Sequence, residues 1–413
     1  MAKKQRKRGH GEGCITQRKD GKWAAVITLG KDANGKQKRR FIYGNTRQEV
    51  SEKLTQALND INKGLYINPN KSTLQDWLIF WINEYVENRV KLSTKVSYDL
   101  FINKHINPVI GYIPLSGLRG DIIQKFYNDK LRNGRLDHKG GLNPKTIKNM
   151  HNMLHEALEQ ALKNELIIKN PCKTVTLPKV IKKEMRVLSA DEQQKLITIA
   201  RTERLGVGII LTLFTGLRLG ELLGLQWSDI DIKNGILLVR RTLNRLKTFD
   251  DNSDKKTSIV IGETKTLKSK RQIPLHEIMV EELKKFKILQ RQEKLLAGEL
   301  YENNDFIIAN ELGKCIEPRT YQDLFYKLIK KAEIAPANFH CLRHTFATRA
   351  LERDVAAKTV SELLGHSNIS TTLDLYSHVS HELKKSSIDK MADLFLSASK
   401  NRNDCTNRSL RNS

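Results

Sequence analysis

His340-Cys-Leu-Arg343-His344-Thr-Phe-Ala347 and Leu364-Gly-His366-Ser-Asn-Ile-Ser-Thr-Thr-Leu-Asp-Leu-Tyr376 are the two stretches on which the reading of this chain turns. Read as a helix, the first sets His340 and Arg343, three residues apart, on one face. A zinc site built from His340, Cys341 and His344 fails on that same helix, because Cys341 points elsewhere. In the second stretch Gly365 stands at an expected helix end, His366 follows it, and Tyr376 falls on the next helix. A lone Tyr beside an apolar helix is ordinarily a core residue with a wet hydroxyl.

Two earlier stretches read well beside these. In Thr215-Gly-Leu-Arg-Leu-Gly-Glu-Leu-Leu-Gly-Leu-Gln-Trp227, Gly216 breaks the chain just before Arg218. Arg218 then opens a helix whose apolar residues are Leu219, Leu222, Leu223 and Leu225. An Arg in so apolar a setting needs an anionic partner, from the protein or from a ligand. Glu221 is placed to orient it, and the plain alternative is a structural Arg218–Glu221 pair. In Glu263-Thr-Lys265-Thr-Leu-Lys-Ser-Lys-Arg-Gln-Ile-Pro274-Leu, Lys265 sits at a hairpin before a strand that enters the core. A run of cations like this one is more often a solvated turn than a site.

As candidate groups the four stretches supply two Arg (Arg218, Arg343), one Lys (Lys265), two His (His340, His366) and one Tyr (Tyr376). That set is rich in donors for a phosphate and holds a single oxygen nucleophile. It lacks the carboxylate cluster that two-metal nucleases need and the Gly-rich loop that cradles ATP. Phosphoryl transfer through a covalent tyrosine, with no metal and no cofactor, is the chemistry such a set can perform.

Composition agrees. The formal net charge is +26, an excess that a polyanion would neutralise. Lys and Arg run through the whole chain rather than gathering on one amphipathic helix, which favours nucleic acid over a membrane surface. No apolar run is long enough to span a bilayer, and no apolar stretch follows the basic Met1–Arg8, so neither a membrane span nor a secretory leader is expected. The five cysteines are an odd number with no C-x-x-C pair, as expected of a reducing cytoplasm without structural zinc. His151 and His155 stand four apart on a helix, but lack a third metal ligand nearby.

Punctuation divides the chain. Residues 1–68 read as a small α+β domain, a three-stranded sheet plus a helix: strands over Gly13–Arg18, Trp23–Gly30 and Lys38–Tyr43, turned at Asp20-Gly21 and Asn34-Gly35. Thr46 and Glu49 then form a capping box for a helix carrying Val50, Leu54, Ala57, Leu58 and Ile61. Arg18, Lys19, Lys22, Lys36, Lys38, Arg39 and Arg40 surround this core; they make either a solvated sheet or a basic face for a major groove. Residues 72–175 read as an all-α domain, with Leu74, Trp77, Leu78, Trp81, Ile82 and Tyr85 as one stripe and Asn143-Pro144 opening a later helix. A basic linker follows, with Lys179, Lys182 and Lys183. Residues 183–397 read as a mainly α domain with a small β-sheet. It opens on the capping box Ser189–Glu192, has strands over Ile236–Val239, Ser258–Ile261 and Arg271–Leu275 with an exposed loop Asp250–Lys256, and ends in a helix with Ile388, Met391, Ala392 and Phe395. Residues 398–413 read as a flexible tail.

The four motifs resemble those of the tyrosine recombinase (phage integrase) family, and HxLRHTFAT and LLGHSxxxTTLxxYSHV match its pattern in order. The layout is similar to integrases of conjugative transposons and temperate phages: an arm-type DNA-binding domain, a helical core-binding domain and a catalytic domain. The resemblance implies that Arg218, Lys265, His340, Arg343, His366 and Tyr376 are catalytic, with Glu221 in a supporting acidic position. The Lys-Thr pair before the Arg-x-Ile-Pro strand selects Lys265 over the nearby Lys268 and Lys270. It further implies double-stranded DNA with core and arm-type sites as partner, action as a homo-oligomer, a tetramer on DNA, help from an excisionase or a host DNA-bending protein, and residence in the bacterial cytoplasm with the nucleoid. Three rival readings remain in view. A type IB topoisomerase would not need a separate basic N-terminal module, a chromosome-dimer resolvase normally lacks one, and a regulator with a fossil site would not keep all six catalytic positions filled.

Overall fold

The computed structural model describes residues 14–18, 20–31, 37–62, 72–181, 185–249, 256–263 and 270–374. Lys19, Lys36, Lys265, Lys268 and Tyr376, the Asn34-Gly35 turn, Lys182 and Lys183, most of the Asp250–Lys256 loop, the helix expected over Ile388–Phe395 and the tail lie outside the described residues. The chain forms two compact units, Met1–Ile181 and Lys182–Ser413.

The first unit holds two separate cores. Strands β1 (Cys14–Gln17), β2 (Trp23–Lys31) and β3 (Gln37–Gly44) form an antiparallel sheet in the order β1-β2-β3. The Asp20-Gly21 turn depends on Gly21, whose φ of +79° suits a residue without a Cβ. Helix α1 (Arg47–Asn62) covers one face, burying Val50, Leu54 and Ala57 against Ala25, Ile27 and Ile42. Its cap differs slightly from the expected box. Thr46 Oγ1 accepts from the Glu49 N–H at 3.2 Å, but the Glu49 carboxylate accepts from the Asn45 N–H at 2.9 Å, one residue earlier than Thr46.

The second core belongs to α2 (Leu74–Trp81), α3 (Leu92–Leu100), α4 (Asn107–Ile110), α5 (Gly120–Asn133) and α6 (Pro144–Lys163). Asn143 caps α6 by accepting from the Lys145 N–H at 2.8 Å, and Pro144 occupies the first turn, where a missing N–H is harmless. Trp77 is buried, with its indole N–H donating to the Ala157 carbonyl at 2.9 Å. Where the sequence suggests one continuous helical period, the structure inserts π-helical turns at Ile82–Val86 and Phe101–Ile106. The wider turns keep Ile82, Val86, Phe101, Ile102 and Ile106 all facing inward.

The second unit is built around α8 (Val207–Thr215), apolar on every side and therefore central. Helix α7 (Ala190–Ala200) precedes it. There both bonds of the Ser189–Glu192 capping box form, at 3.1 and 2.8 Å. After α8 come α9 (Leu219–Leu223), β4 (Ile230–Asp231), β5 (Ile236–Val239), β6 (Arg241–Lys247), β7 (Thr257–Glu263), β8 (Arg271–Pro274), α10 (Glu277–Ala297), α11 (Pro318–Lys331), α12 (Cys341–Glu352), α13 (Ala357–Leu364) and α14 (Ser370–Leu373). The strands part company with expectation. Antiparallel β4-β5-β8 form one small sheet, and Thr257–Glu263 pairs instead with Arg241–Lys247 in a separate two-stranded ribbon. Strand β6 reads Arg-Thr-Leu-Asn-Arg-Leu-Lys, and only Leu243 is fully buried, so too little apolar alternation marks it.

Candidate active site

Helix α8 ends at Gly216 in the left-handed conformation, φ +65°. The chain then extends through Leu217 to Arg218, which caps α9. A Cβ on Gly216 would lie 2.5 Å from Leu364 Cδ2 and 2.7 Å from Phe346 Cδ1. Gly216→Ala should therefore destabilise the second unit by about 2 kcal/mol or more, strain and overlap adding; urea unfolding of wild type and variant checks this.

Arg343 joins the three elements that meet here. Its side chain is buried, 2% exposed. Nη1 donates to the Gly216 carbonyl at 2.7 Å and Nη2 to the Leu364 carbonyl at 2.7 Å, tying the end of α8 to the end of α13. Helix α13 also ends on a left-handed glycine, Gly365 at φ +64°, and His366 follows it. The His366 Nδ1 lies 2.8 Å from Oγ1 of buried Thr372, which fixes the ring and turns Nε2 to the remaining side. His340 is the cap residue of α12 rather than part of it, but its dihedrals are helical (φ −67°, ψ −16°). The spacing to Arg343 read from the sequence therefore holds. The His340 and His344 rings meet edge to face, centroids 4.6 Å apart.

Glu221 is the single carboxylate among these groups. It is 4% exposed, and its oxygens accept from the Arg218 N–H at 3.0 Å and Arg218 Nη1 at 2.7 Å. Arg271 of β8 adds bonds at 3.3 and 2.9 Å and donates through Nε to the Leu363 carbonyl at 2.6 Å. Three guanidiniums thus meet three successive carbonyls at the end of α13: Arg271 at Leu363, Arg343 at Leu364 and, at 3.4 Å, Arg218 at Gly365. Cations at a helix C-terminus complement its dipole.

Charge and burial set the protonation states. Burial would raise the Glu221 carboxyl, but the hydrogen bonds and charge of Arg271, then the charge of Arg218, outweigh it and leave the pKa lowered. Desolvation first, then Arg218 and Arg271, push Arg343 down to about 9, so it stays protonated at neutral pH. Desolvation, then Arg343 and Arg218, bring His340 and His366 down to about 4. His340 also opens to solvent. Both imidazoles are therefore neutral at pH 7, and a bound anion would raise them toward their ordinary range.

Of the residues singled out from the sequence, Arg218, Glu221, His340, Arg343 and His366 come together. Arg271 and Thr372 were not anticipated. Arg271 was hidden in a run of cations, although β8 alternation gives it the inward parity of buried Ile273. Cys341 is buried, and among the described residues no three His, Cys, Asp or Glu side chains are placed to hold a metal ion.

In the first unit, the sheet face away from α1 carries Phe41 and Tyr43, both about half exposed, with rings stacked at 6.4 Å. Arg18 lies over the Tyr43 ring at 5.2 Å. The register pairs Arg39 with Thr28 and Phe41 with Val26, which sets exposed Arg39 on the same face of β3 as Phe41 and Tyr43. Lys22 is exposed beside the Asp20-Gly21 turn; Lys38 lies within β3.

The model of the phage integrase family matches residues 186–382, and that of the phage integrase N-terminal SAM-like domain matches residues 73–131. A tyrosine recombinase XerC-like protein of Caldanaerobacter subterraneus subsp. tengcongensis is 34% identical over 390 residues, covering 92% of this chain and 98% of the relative. The fold is that of the Tn1549 transposon integrase in complex with transposon right end DNA (TM-score 0.63, 21% identity, 78% of this chain and 99% of that one). It is also that of lambda integrase, solved as a tetramer bound to a Holliday junction (TM-score 0.53, 21% identity, 89% of this chain and 96% of that one).

Proposed function

The chain belongs to the phage integrase family of tyrosine recombinases, and from that premise we propose that it integrates and excises a mobile DNA element, cutting and rejoining strands through a 3′-phosphotyrosyl link to Tyr376. The observation that carries the reading is the convergence of Arg218, Arg343, His340 and His366 on one patch where three guanidiniums face a single carboxylate. Such a patch is built for a phosphodiester, with forked donors aimed where charge grows during displacement.

In this mechanism the Tyr376 oxygen attacks phosphorus, and the bond to the 5′-oxygen breaks. The tyrosyl proton passes to His340, which is neutral at pH 7 and so able to accept it. Arg218 and Arg343 hold the non-bridging oxygens, and His366 adds a third hydrogen bond. Lys265 gives a proton to the departing 5′-oxygen. A second strand's 5′-hydroxyl then reverses the chemistry on a new partner. The phosphate ester is exchanged for another of similar energy, so neither ATP nor a metal ion enters the scheme. Wild-type protein incubated with a nicked DNA substrate from the element's own end, without metal, should yield a covalent complex. Absence of that complex on DNA the protein demonstrably binds would sink the assignment.

Residues 1–68 serve as the arm-type DNA-binding domain, 72–175 as the core-binding domain and 183–397 as the catalytic domain, with 398–413 a tail. The outer sheet face supports the first role: aromatic and Arg side chains share it, as a surface entering a groove requires. Arg39→Ala should lower the salt dependence of arm-site binding by about 0.9 in the log–log slope, one phosphate contact, and leave core-site cleavage intact. Filter binding across a salt series reads this directly; an unchanged slope removes Arg39 from the interface. Action as a tetramer on DNA is supported by the lambda integrase assembly of the same fold. An excisionase or a host bending protein, and a place with the nucleoid in the bacterial cytoplasm, complete the proposal. No helix among the described residues is long and apolar enough to cross a membrane.

A further inference from the structure

Arg271 has no part in the mechanism above, yet its side chain is only 5% exposed and lies amid the groups that do. Burying a guanidinium is costly unless every strong donor finds an acceptor. A carboxylate and a carbonyl help Arg271 meet that demand. Nη1 and Nη2 reach the two oxygens of Glu221 at 3.3 and 2.9 Å, and Nε reaches the Leu363 carbonyl at 2.6 Å. Glu221 in turn holds Arg218 by its backbone N–H and by Nη1. The Leu363 carbonyl belongs to the last turn of α13, which leads through Gly365 to His366. One side chain on β8 therefore spans from the acid behind Arg218 to the helix end in front of His366.

We propose that Arg271 is a positioning residue for strand cleavage, holding Glu221, and through it the Arg218 guanidinium, in register with the end of α13. The inference rests on the recombinase reading and names a residue that reading does not use. Arg218 and Arg343 touch the same helix end, but both must also serve the phosphate. Arg271, bonded to the carboxylate on one side and to the carbonyl on the other, is the link that stays in place while they do so. Without it, Glu221 would keep Arg218 as its one close partner among the described residues. The carboxylate would then claim more of that guanidinium and draw it away from the phosphate.

The test uses the full-length protein on the nicked substrate, comparing wild type, Arg271→Lys and Arg271→Met in single-turnover cleavage across pH, with gel-shift binding alongside. DNA binding should be unchanged, because Arg271 is not at the surface. Cleavage by Arg271→Met should slow on the order of 10²-fold, the scale of a displaced reacting group. Arg271→Lys should fall between, keeping the charge beside Glu221 but losing the fork that reaches Leu363. The pH profile separates positioning from mere support. Among the described residues, the charged and titratable groups facing Glu221 are Arg218 at the α9 cap, Arg271 on β8, and His340 and Arg343 at the start of α12. Removing Arg271 removes the largest influence that lowers the Glu221 pKa, so Glu221 takes up its proton at higher pH. The acid limb of cleavage should therefore move to higher pH in Arg271→Met, while any limb from the histidines is common to all three proteins. Equal cleavage by wild type and Arg271→Met would overturn the proposal. So would slow cleavage that follows the folded fraction alone, with an unshifted limb and Lys no better than Met. A wild type that forms no covalent complex overturns the recombinase reading itself, a different result from either.

Discussion

Tyr376→Phe should leave the protein bound to its DNA and abolish the covalent protein–DNA complex. The substitution keeps the ring and removes one oxygen, so packing and DNA affinity have little reason to change. That oxygen is the only nucleophile the motif set offers; the other members are donors, acids or bases. Enzymes that lose their sole nucleophile lose on the order of 10⁶-fold in rate, which here means no detectable product. Denaturing gel analysis of the nicked substrate measures it, with gel-shift binding as the control for folding. A covalent adduct still formed by the Phe variant, mapped to another residue by peptide analysis, would take the nucleophile role from Tyr376.

The second large effect belongs to Arg343→Met, which fills similar volume and removes both charge and donors. Cleavage should fall on the order of 10²–10³-fold, as when one oxyanion donor is lost from a preorganised site. Stability is a separate matter. The Gly216 and Leu364 carbonyls would lose their buried partners, at about 1–3 kcal/mol each. Against this, a charge that burial and two neighbouring guanidiniums disfavour would be gone. Net destabilisation should therefore be smaller than the two lost bonds suggest. Urea unfolding and single-turnover cleavage on the same preparation separate the two quantities. A variant that unfolds readily yet cleaves normally in its folded fraction would show that Arg343 is a strut and not a clamp.

Much of this site could be read in advance because its parts are local. Gly216 and Gly365 announce helix ends within the motifs themselves, and in the structure each adopts the left-handed conformation just before a functional residue. The capping boxes at Ser189 and at Thr46 are equally local, spaced by the helix itself. What escaped depends on long-range pairing. Arg271 becomes meaningful only once β8 lies against β5 and the end of α13, far away in sequence. Strand β6 has a half-exposed, charged surface, so no apolar alternation reveals it or its pairing with β7.

On the proposed mechanism, the three carbonyls at the end of α13 stand where the substrate would otherwise engage the guanidiniums. Off DNA, guanidiniums gathered this closely repel one another, and the oxygens of Leu363, Leu364 and Gly365 supply the negative potential that a phosphate would otherwise bring. These bonds fix the three guanidiniums in place without an anion, so little reorganisation of the donors would be needed when a phosphate arrives. A phosphate drawn between Arg218 and Arg343 competes with Gly365 and Leu364 for the same hydrogens. In the proposed mechanism, admission of the scissile group and release of the α13 end are then one exchange.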